Sequence, residues 1–208
     1  LLVEVDGTRQ EVAATSEHID RIARESGATS FRSAATPAEQ ELLWKGRKMA
    51  LAAMGRLAPN YYLHDTVVPR TQLTSTLQAV DEISNEYGLP IANVFHAGDG
   101  NLHPLMLFDR RRAGEVEKVL EASHHLIHAC VERGGTLSGE HGIGSEKRGY
   151  MAPVYTREDL VAMAGVKDAF DPRGLLNPEK VLPKGYMCGE ARALHNQAMA
   201  QKHGIHPM

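Results

Sequence analysis

The chain has 208 residues, of which 42% are hydrophobic and 24% charged, and its formal net charge at pH 7 is -3. This length allows a sizeable hydrophobic core, and the nearly balanced charge argues against nucleic-acid binding, which needs a basic face. The sequence contains no signal peptide and no apolar run of about 18 residues, so we expect a soluble, cytoplasmic chain. Because it starts inside an apolar run, we also expect it to be part of a longer protein.

The first quarter of the chain predicts two strands and two helices. Residues 1–7 predict a strand that ends in a turn, and Ser16 is expected to cap a helix over 16–26. Residues 29–34 can form a second strand. A Thr-Pro-Ala-Glu sequence then combines an N-cap, a proline at the first helical position and a capping-box glutamate, which predicts a helix over 37–55.

The rest of the chain predicts a split βαβ arrangement. Five segments follow in order: a strand at 61–68, a helix at 70–88, a hairpin at 91–108, a helix at 113–133 and a Thr156-capped helix that ends at Phe170. This order predicts an α+β fold, with a ferredoxin-like, mainly antiparallel sheet with helices and a C-terminal helical segment. The two cysteines, Cys130 and Cys188, lie far apart and predict no disulfide framework.

The hairpin segment, VFHAGDGNLHPLMLF, contains two histidines inside otherwise apolar strands. A two-residue turn at Asp99-Gly100 would place His96 directly opposite His103, on the same face and with Cβ atoms about 5 Å apart. Two imidazoles in that position could share one metal ion. The alternative is a pair of half-buried histidines that form hydrogen bonds with the backbone.

The segment SGEHGIGSEKRGYM places Glu140 and His141 next to each other among glycines. Glycines allow tight backbone paths, so this loop could bring a carboxylate and an imidazole into a cleft, one as a ligand and the other for proton transfer. A flexible surface turn is the alternative. Neither phosphate-binding pattern, GxGxxG or GxxxxGK[ST], is present.

Other charged residues are less informative by themselves. His124 and His128 are four residues apart on a predicted helix, but HHLIH lacks the glutamate of HExxH, and a solvent-facing surface is the better interpretation. Arg47, Asp65 and Arg70 stand in apolar surroundings. Such an arginine can bind a carboxylate with two hydrogen bonds, but from these residues alone an ordinary intramolecular ion pair, or a solvated helix face for Arg47, is the better interpretation.

Five segments together resemble the C-terminal region of the FAD-linked 2-hydroxy-acid oxidoreductases. This family contains the glycolate oxidase flavin subunit, D-lactate dehydrogenase and D-2-hydroxyglutarate dehydrogenase, and the likeness is greatest to the glycolate oxidase branch. The segments are LLWKGRK, YYLHDTVVPR, VFHAGDGNLHPLM, GGTLSGEHGIGSEKRGYM and FDPRGLLNPEKVLP, within residues 1–183. The resemblance implies a substrate-binding cap domain at 1–152, a helical segment at 153–183 that returns to the flavin domain, and a tail at 184–208.

The resemblance also implies a set of site residues. It implies a divalent metal, zinc or manganese, and FAD that is bound mainly by an N-terminal domain missing from this chain. The residues carried over are His96, His103 and Glu140 as metal ligands, His141 as general base, Arg47 as a contact for the substrate carboxylate, and Asn177 near the flavin.

The implied activity is oxidation of a D-2-hydroxy acid, of the glycolate or D-lactate type, to the 2-oxo acid, with metal-assisted substrate binding and hydride transfer to FAD. Leu63 stands where members that act on 2-hydroxyglutarate have a lysine, which disfavours a dicarboxylate. We expect this chain alone to be inactive, and the whole protein to associate with partner subunits and with the inner membrane face. The alternatives are a non-catalytic scaffold subunit of a multi-chain oxidase, and a structural zinc site with a fourth protein ligand.

Overall fold

A computed structural model describes residues 1–185 of the chain. Its contacts divide the chain into two compact units, Leu1–Leu57 and Ala58–Met208. Nearly all of the predicted tail at 184–208, including Cys188, lies outside the described residues. The predicted boundary between a cap domain and a returning segment at 152/153 stays a prediction.

Two capped helices make up most of the first unit. Helix α1 spans Arg9–Glu25 and helix α2 spans Pro37–Met54. Each begins with a capping box, in which a threonine side chain and a glutamate three residues later accept hydrogen bonds from each other's backbone N–H. The prediction for α2 is confirmed. The predicted start of α1 at Ser16 is wrong, because the Thr8-to-Glu11 capping box lies eight positions earlier.

The strands predicted at 1–7 and 29–34 are not formed. No residue of Leu1–Leu57 is in a strand, and Leu1 and Val3 are 100% and 50% exposed. A strand is stabilised by hydrogen bonds and side-chain packing against a neighbouring strand, so strand propensity without such a partner does not decide the conformation. Both predictions are therefore wrong.

The second unit contains the sheet. Its elements are β1 (Asn60–Leu63), β2 (Thr66–Val67), α3 (Leu73–Tyr87), β3 (Ile91–His96), β4 (Asn101–Phe108), α4 (Glu115–Glu132), α5 (Met151–Val154) and α6 (Arg157–Phe170). A 3₁₀ turn at Arg70–Gln72 precedes α3, and α6 begins at the predicted Thr156 cap. The α+β prediction is confirmed.

Strand β4 is the centre of an antiparallel sheet. It pairs with β3 along one edge and with both β1 and β2 along the other. The strand predicted at 61–68 is therefore interrupted at His64 and Asp65, although the His64 N–H still donates to the Pro104 carbonyl at 2.9 Å. Thr136 forms an isolated antiparallel bridge with Val67. This is the ferredoxin-like strand order, with the fourth strand reduced to one bridge.

Helices α3 and α4 cover one face of the sheet. Met106 of β4 packs in a core with residues of both helices, namely Val80, Ile83, Val119, Ala122 and Leu126. Leu102 packs with Val68 and Cys130, whose thiol is free. Successive side chains of a strand point to opposite faces, so the odd-numbered residues of β4, including His103, point away from these helices.

Among residues 1–185, no helix combines the length and the apolar character that a membrane crossing requires.

Candidate functional site

His96 and His103 lie on the same face of the hairpin, but they are not directly opposite each other. In the observed register His96 pairs with Asn101, and His103 pairs with Val94. The predicted register is therefore wrong by two residues. Because side chains alternate with a period of two, this shift keeps both rings on one face. The ring centroids are 5.6 Å apart and the rings are nearly perpendicular, at 88°.

The register differs because the hairpin turns over four residues, 97–100, and not over two. Gly100 has a positive φ of 72° and accepts a hydrogen bond from the Val68 N–H at 3.0 Å. A Cβ atom at Gly100 would overlap the Val68 carbonyl oxygen. The loop is therefore shaped by its contact with the chain beyond β2, which the hairpin sequence alone does not contain.

His103 is the buried member of the cluster, with 6% of its surface exposed. Its Nδ1 lies 3.3 Å from the carbonyl oxygen of His64, and its Nε2 lies 2.9 Å from Oε1 of Glu140. Both ring nitrogens therefore face oxygen acceptors. A neutral imidazole carries only one N–H, so it can donate to only one of these oxygens.

The glycine-bearing loop after the Thr136 bridge brings Glu140 and His141 to His103. Glu140 approaches the edge of the His103 ring, whereas His141 stacks on its face, with centroids 5.2 Å apart and an angle of 16°. The Nε2 atom of His141 is 3.6 Å from Oε1 of Glu140. The side chains of Glu140 and His141 are 51% and 48% exposed, respectively, so this side of the cluster is open to solvent.

His96, His103 and Glu140 form a group with the composition of a metal site. One ligand atom from each of the three residues lies within 4.8 Å of the other two. Within residues 1–185 this is the one group of at least three His, Cys, Asp or Glu side chains with that property. The structure thus brings together the three residues that the sequence suggested as metal ligands, and it places His141 beside them.

Asp65 organises the loop, and the sequence indicated it only as a charged residue in apolar surroundings. It is 1% exposed, and its Oδ2 accepts hydrogen bonds from Ser138 Oγ at 2.6 Å and from the N–H groups of Gly139, Glu140 and His141 at 3.0, 3.2 and 2.9 Å. Burial alone would raise the pKa of the Asp65 carboxyl, but these hydrogen bonds and a nearby lysine lower it well below its ordinary value. Asp65 is therefore ionised at neutral pH.

Lys147 is the cation beside Asp65. Its Nζ donates to the Asp65 carbonyl oxygen at 2.5 Å and lies 3.5 Å from the carboxylate. Burial lowers the pKa of Lys147, and the attraction of Asp65 opposes part of that change. Burial, together with repulsion from Lys147, lowers the pKa of neighbouring His64 to about 3. His64 is therefore neutral at pH 7, and its ring lies 3.0 Å from Ser123 Oγ.

The remaining candidates belong to other elements of the chain. Arg47 is half-buried within α2 of the first unit, and its contact with a substrate carboxylate stays a prediction. Asn177 is exposed after α6, with a positive φ of 45°, and its contact with a flavin also stays a prediction. On α4, His128 lies 3.4 Å from Glu132, and the ring of His124 contacts Tyr150.

Comparison with known proteins places the chain in a family. Residues 1–181 match the family described as "FAD linked oxidases, C-terminal domain". The chain is 44% identical over 195 residues to glycolate oxidase subunit GlcD of Escherichia coli (strain K12), covering 94% of this chain and 39% of that protein. It is 39% identical over 184 residues to GlcD of Bacillus subtilis (strain 168), covering 88% of this chain and 39% of that protein.

A more distant relative is the mitochondrial D-lactate dehydrogenase [cytochrome] of Arabidopsis thaliana. It is 29% identical over 185 residues, which cover 88% of this chain and 33% of that protein. The chain thus spans between 33% and 39% of the length of these three relatives. The resemblance noted from the sequence motifs is confirmed: the chain belongs to the family of C-terminal domains of FAD-linked oxidases.

Proposed function

We propose that this chain is the substrate-side domain of an FAD-dependent oxidoreductase, which oxidises a D-2-hydroxy acid of the glycolate or D-lactate type to the 2-oxo acid. The observation that carries the proposal is the cluster of His96, His103 and Glu140 with His141 beside it, in a chain of the FAD-linked oxidase family. The names of the relatives supply the substrate type, since they are glycolate oxidase subunits and D-lactate dehydrogenases.

The donor set fits a divalent metal, zinc or manganese. Two imidazoles and one carboxylate are the protein ligands of several catalytic zinc sites, and three ligands leave a position for the substrate. His103 adds a more specific argument. If its Nδ1–H donates to the His64 carbonyl, a neutral ring turns the Nε2 lone pair toward the Glu140 carboxylate, 2.9 Å away. A cation between them, or a second proton on the ring, removes this repulsion.

The residues of this chain then have separate roles in the reaction. When bound, the metal would act as a Lewis acid toward the substrate's 2-hydroxyl group, and FAD would accept the hydride from C2. His141 takes the hydroxyl proton, for which its half-exposed ring beside the cluster is suitably placed. Arg47 binds the substrate carboxylate, and Asn177 lies along the flavin. Loss of one proton and one hydride converts the 2-hydroxy acid into the 2-oxo acid.

The surroundings of the cluster support a small substrate. Leu63 pairs with Leu105, which lies two residues beyond His103 on the same face of β4. Leu105 is fully buried, and the half-buried side chain of Leu63 carries no charge with which to bind a second carboxylate of the substrate. A monocarboxylate therefore suits this face better than 2-hydroxyglutarate does.

The names of the relatives also bear on partners. The GlcD relatives are named as subunits, so we propose that the whole protein works with other subunits. We also propose that it associates with the inner face of a membrane. A purely scaffolding role is the less favoured alternative. The half-exposed carboxylate and imidazole beside the buried His103 have the composition of a reactive site, which a scaffold does not require.

Metal binding by the purified chain tests the proposal directly. The protein is loaded with zinc or manganese, dialysed and analysed for bound metal. We expect about one ion per chain, and its loss in His103→Ala, because that change removes the buried ligand. The matched control is His125→Ala. His125 is an exposed histidine of α4, and its ring lies 3.1 Å from the Tyr87 hydroxyl. Full retention of metal in His103→Ala would contradict the assignment.

A further inference from the structure

The interruption between β1 and β2 contacts two of the three proposed metal ligands. The His64 carbonyl oxygen lies 3.3 Å from Nδ1 of His103. The next residue, Asp65, accepts hydrogen bonds from the backbone N–H of Glu140 at 3.2 and 3.3 Å. The two residues of this break therefore contact the ring of one proposed ligand, His103, and the backbone of another, Glu140.

The loop that carries Glu140 folds around the Asp65 carboxylate. Three consecutive N–H groups, of residues 139–141, and the Ser138 hydroxyl converge on one oxygen, Oδ2. Successive N–H groups that converge in this way form an anion-binding nest. Here the anion is a side chain of the protein itself, so the loop's conformation depends on the position of Asp65.

Asp65 is in turn held in place relative to His103. The pairs Leu63–Leu105 and Thr66–Leu102 flank the break, so the register places Asp65 across from His103 on the same face of the sheet. The nearest oxygen of Asp65 is 4.0 Å from Nδ1 of His103. The strand thus sets the distance between the His103 ring and the anchor of the Glu140 loop.

Lys147 fixes the C-terminal end of the same loop to Asp65. It is 8% exposed, its Nζ donates to the Asp65 carbonyl oxygen, and its own N–H donates to the Ile143 carbonyl at 3.1 Å. Its charge lies 3.5 Å from the buried carboxylate and compensates it. Both ends of the segment 138–147 are therefore fixed to Asp65, in the break between β1 and β2.

From these contacts we infer that Asp65, supported by Lys147, is a positioning residue that holds Glu140 at His103 before any metal binds. The inference rests on the proposed function, because it assigns Asp65 a role in the proposed metal site. Replacing a residue that orients a metal ligand without touching the metal typically changes metal affinity about 10- to 100-fold. We expect an effect of about that size when Asp65 is replaced.

The test compares two aspartates in similar surroundings. Asp65→Asn keeps the size of the side chain and one accepting oxygen, but it removes the charge. The control is Asp171→Asn: Asp171 is 6% exposed and accepts hydrogen bonds from Lys167 and from two backbone N–H groups, at Leu175 and Leu176. Zinc and manganese affinities are measured by competition with a chelator. Amide hydrogen exchange of the metal-free chain is measured at residues 139–141.

We expect Asp65→Asn to lose 10- to 100-fold in metal affinity and to lose protection at the amides of 139–141, with the amides of β4 still protected. Asp171→Asn should keep the wild-type metal affinity even if it lowers the stability. An Asp65→Asn protein with wild-type affinity and protected loop amides would overturn the inference.

Two further outcomes are informative. If the wild-type chain binds no metal, the proposed metal site fails, and hydrogen exchange alone then decides whether Asp65 holds the loop. If Asp65→Asn does not fold, Ser138→Ala removes one of the donors to Oδ2 and keeps the charge. Its metal affinity should then fall several-fold, and an unchanged affinity would overturn the inference.

Discussion

Gly100→Ala should be one of the most damaging single-methyl changes in the hairpin that carries both histidines. Gly100 has a φ of 72°, is buried, and lies against the chain just after β2. An added Cβ would overlap the Val68 carbonyl oxygen and come within 3.3 Å of the Val68 carbonyl carbon. These are backbone atoms, so no side-chain rotation can relieve the overlap.

The cost has two parts. A left-handed conformation costs a residue with a Cβ about 1–2 kcal/mol. Relief of the overlap moves the loop away from Val68 and breaks the hydrogen bond from the Val68 N–H to the Gly100 carbonyl, 3.0 Å long. Val68 is 1% exposed, and a buried donor without a partner costs about 1–3 kcal/mol. The sum is about 2–5 kcal/mol in the free energy of unfolding.

Gly98→Ala in the same loop is the matched control. Its added Cβ would meet no atom within 4 Å, and Gly98 does not have a positive φ. Its effect should stay within about 0.5 kcal/mol. Urea unfolding of both variants at the same pH gives the two free energies, provided that the denaturant slopes agree. If Gly100→Ala were no less stable than Gly98→Ala, the register argument would fail.

The catalytic roles proposed for His141 and Arg47 can be separated by the kinetics of the protein in complex with FAD: if the proposal is right, His141→Ala should lower kcat about 100- to 10,000-fold with little change in substrate affinity, because a general base acts mainly in the transition state. Arg47→Ala should instead raise KM, and Lys48→Ala, an exposed neighbour on the same helix, should do neither; the reverse pattern would show that the two roles are wrongly assigned. Stability should also depend on pH through His64, because burial lowers its pKa from 6.5 to about 3, so the unfolded chain binds the proton more readily between these values. With a chelator present to remove metal, protonation of His64 in the unfolded chain should lower the free energy of unfolding by about 2 kcal/mol between about pH 7.5 and about pH 5. His64→Gln should remove that part of the decrease. The same decrease in both proteins would contradict a buried, neutral His64.

The sequence by itself was sufficient where a structure depends on residues close together in the chain. Helices α2 and α6 begin at Thr36 and Thr156, as predicted, because a capping box needs only four consecutive residues. Gly88 ends α3 with a left-handed residue for an equally local reason. Where the prediction for α1 failed, the signal was still local, since the Thr8-to-Glu11 capping box also spans only four consecutive residues.

The motifs around both histidines and the Glu-His pair were also sufficient to recognise the family and to name the three clustered residues. Their relative geometry was a different matter. The face shared by His96 and His103 was predicted correctly, but only because the error in register was an even number of residues.

Tertiary structure decided everything that depends on distant parts of the chain. The four-residue hairpin loop follows from the contact between Gly100 and Val68, and the segments predicted as strands at 1–7 and 29–34 did not form because they have no strand partner in Leu1–Leu57. Asp65 is the clearest case. Its carboxylate accepts from a hydroxyl 73 residues away in the chain, and no local pattern marks such a pair. A buried carboxylate must find donors wherever the fold brings them, and only the folded chain determines which donors those are.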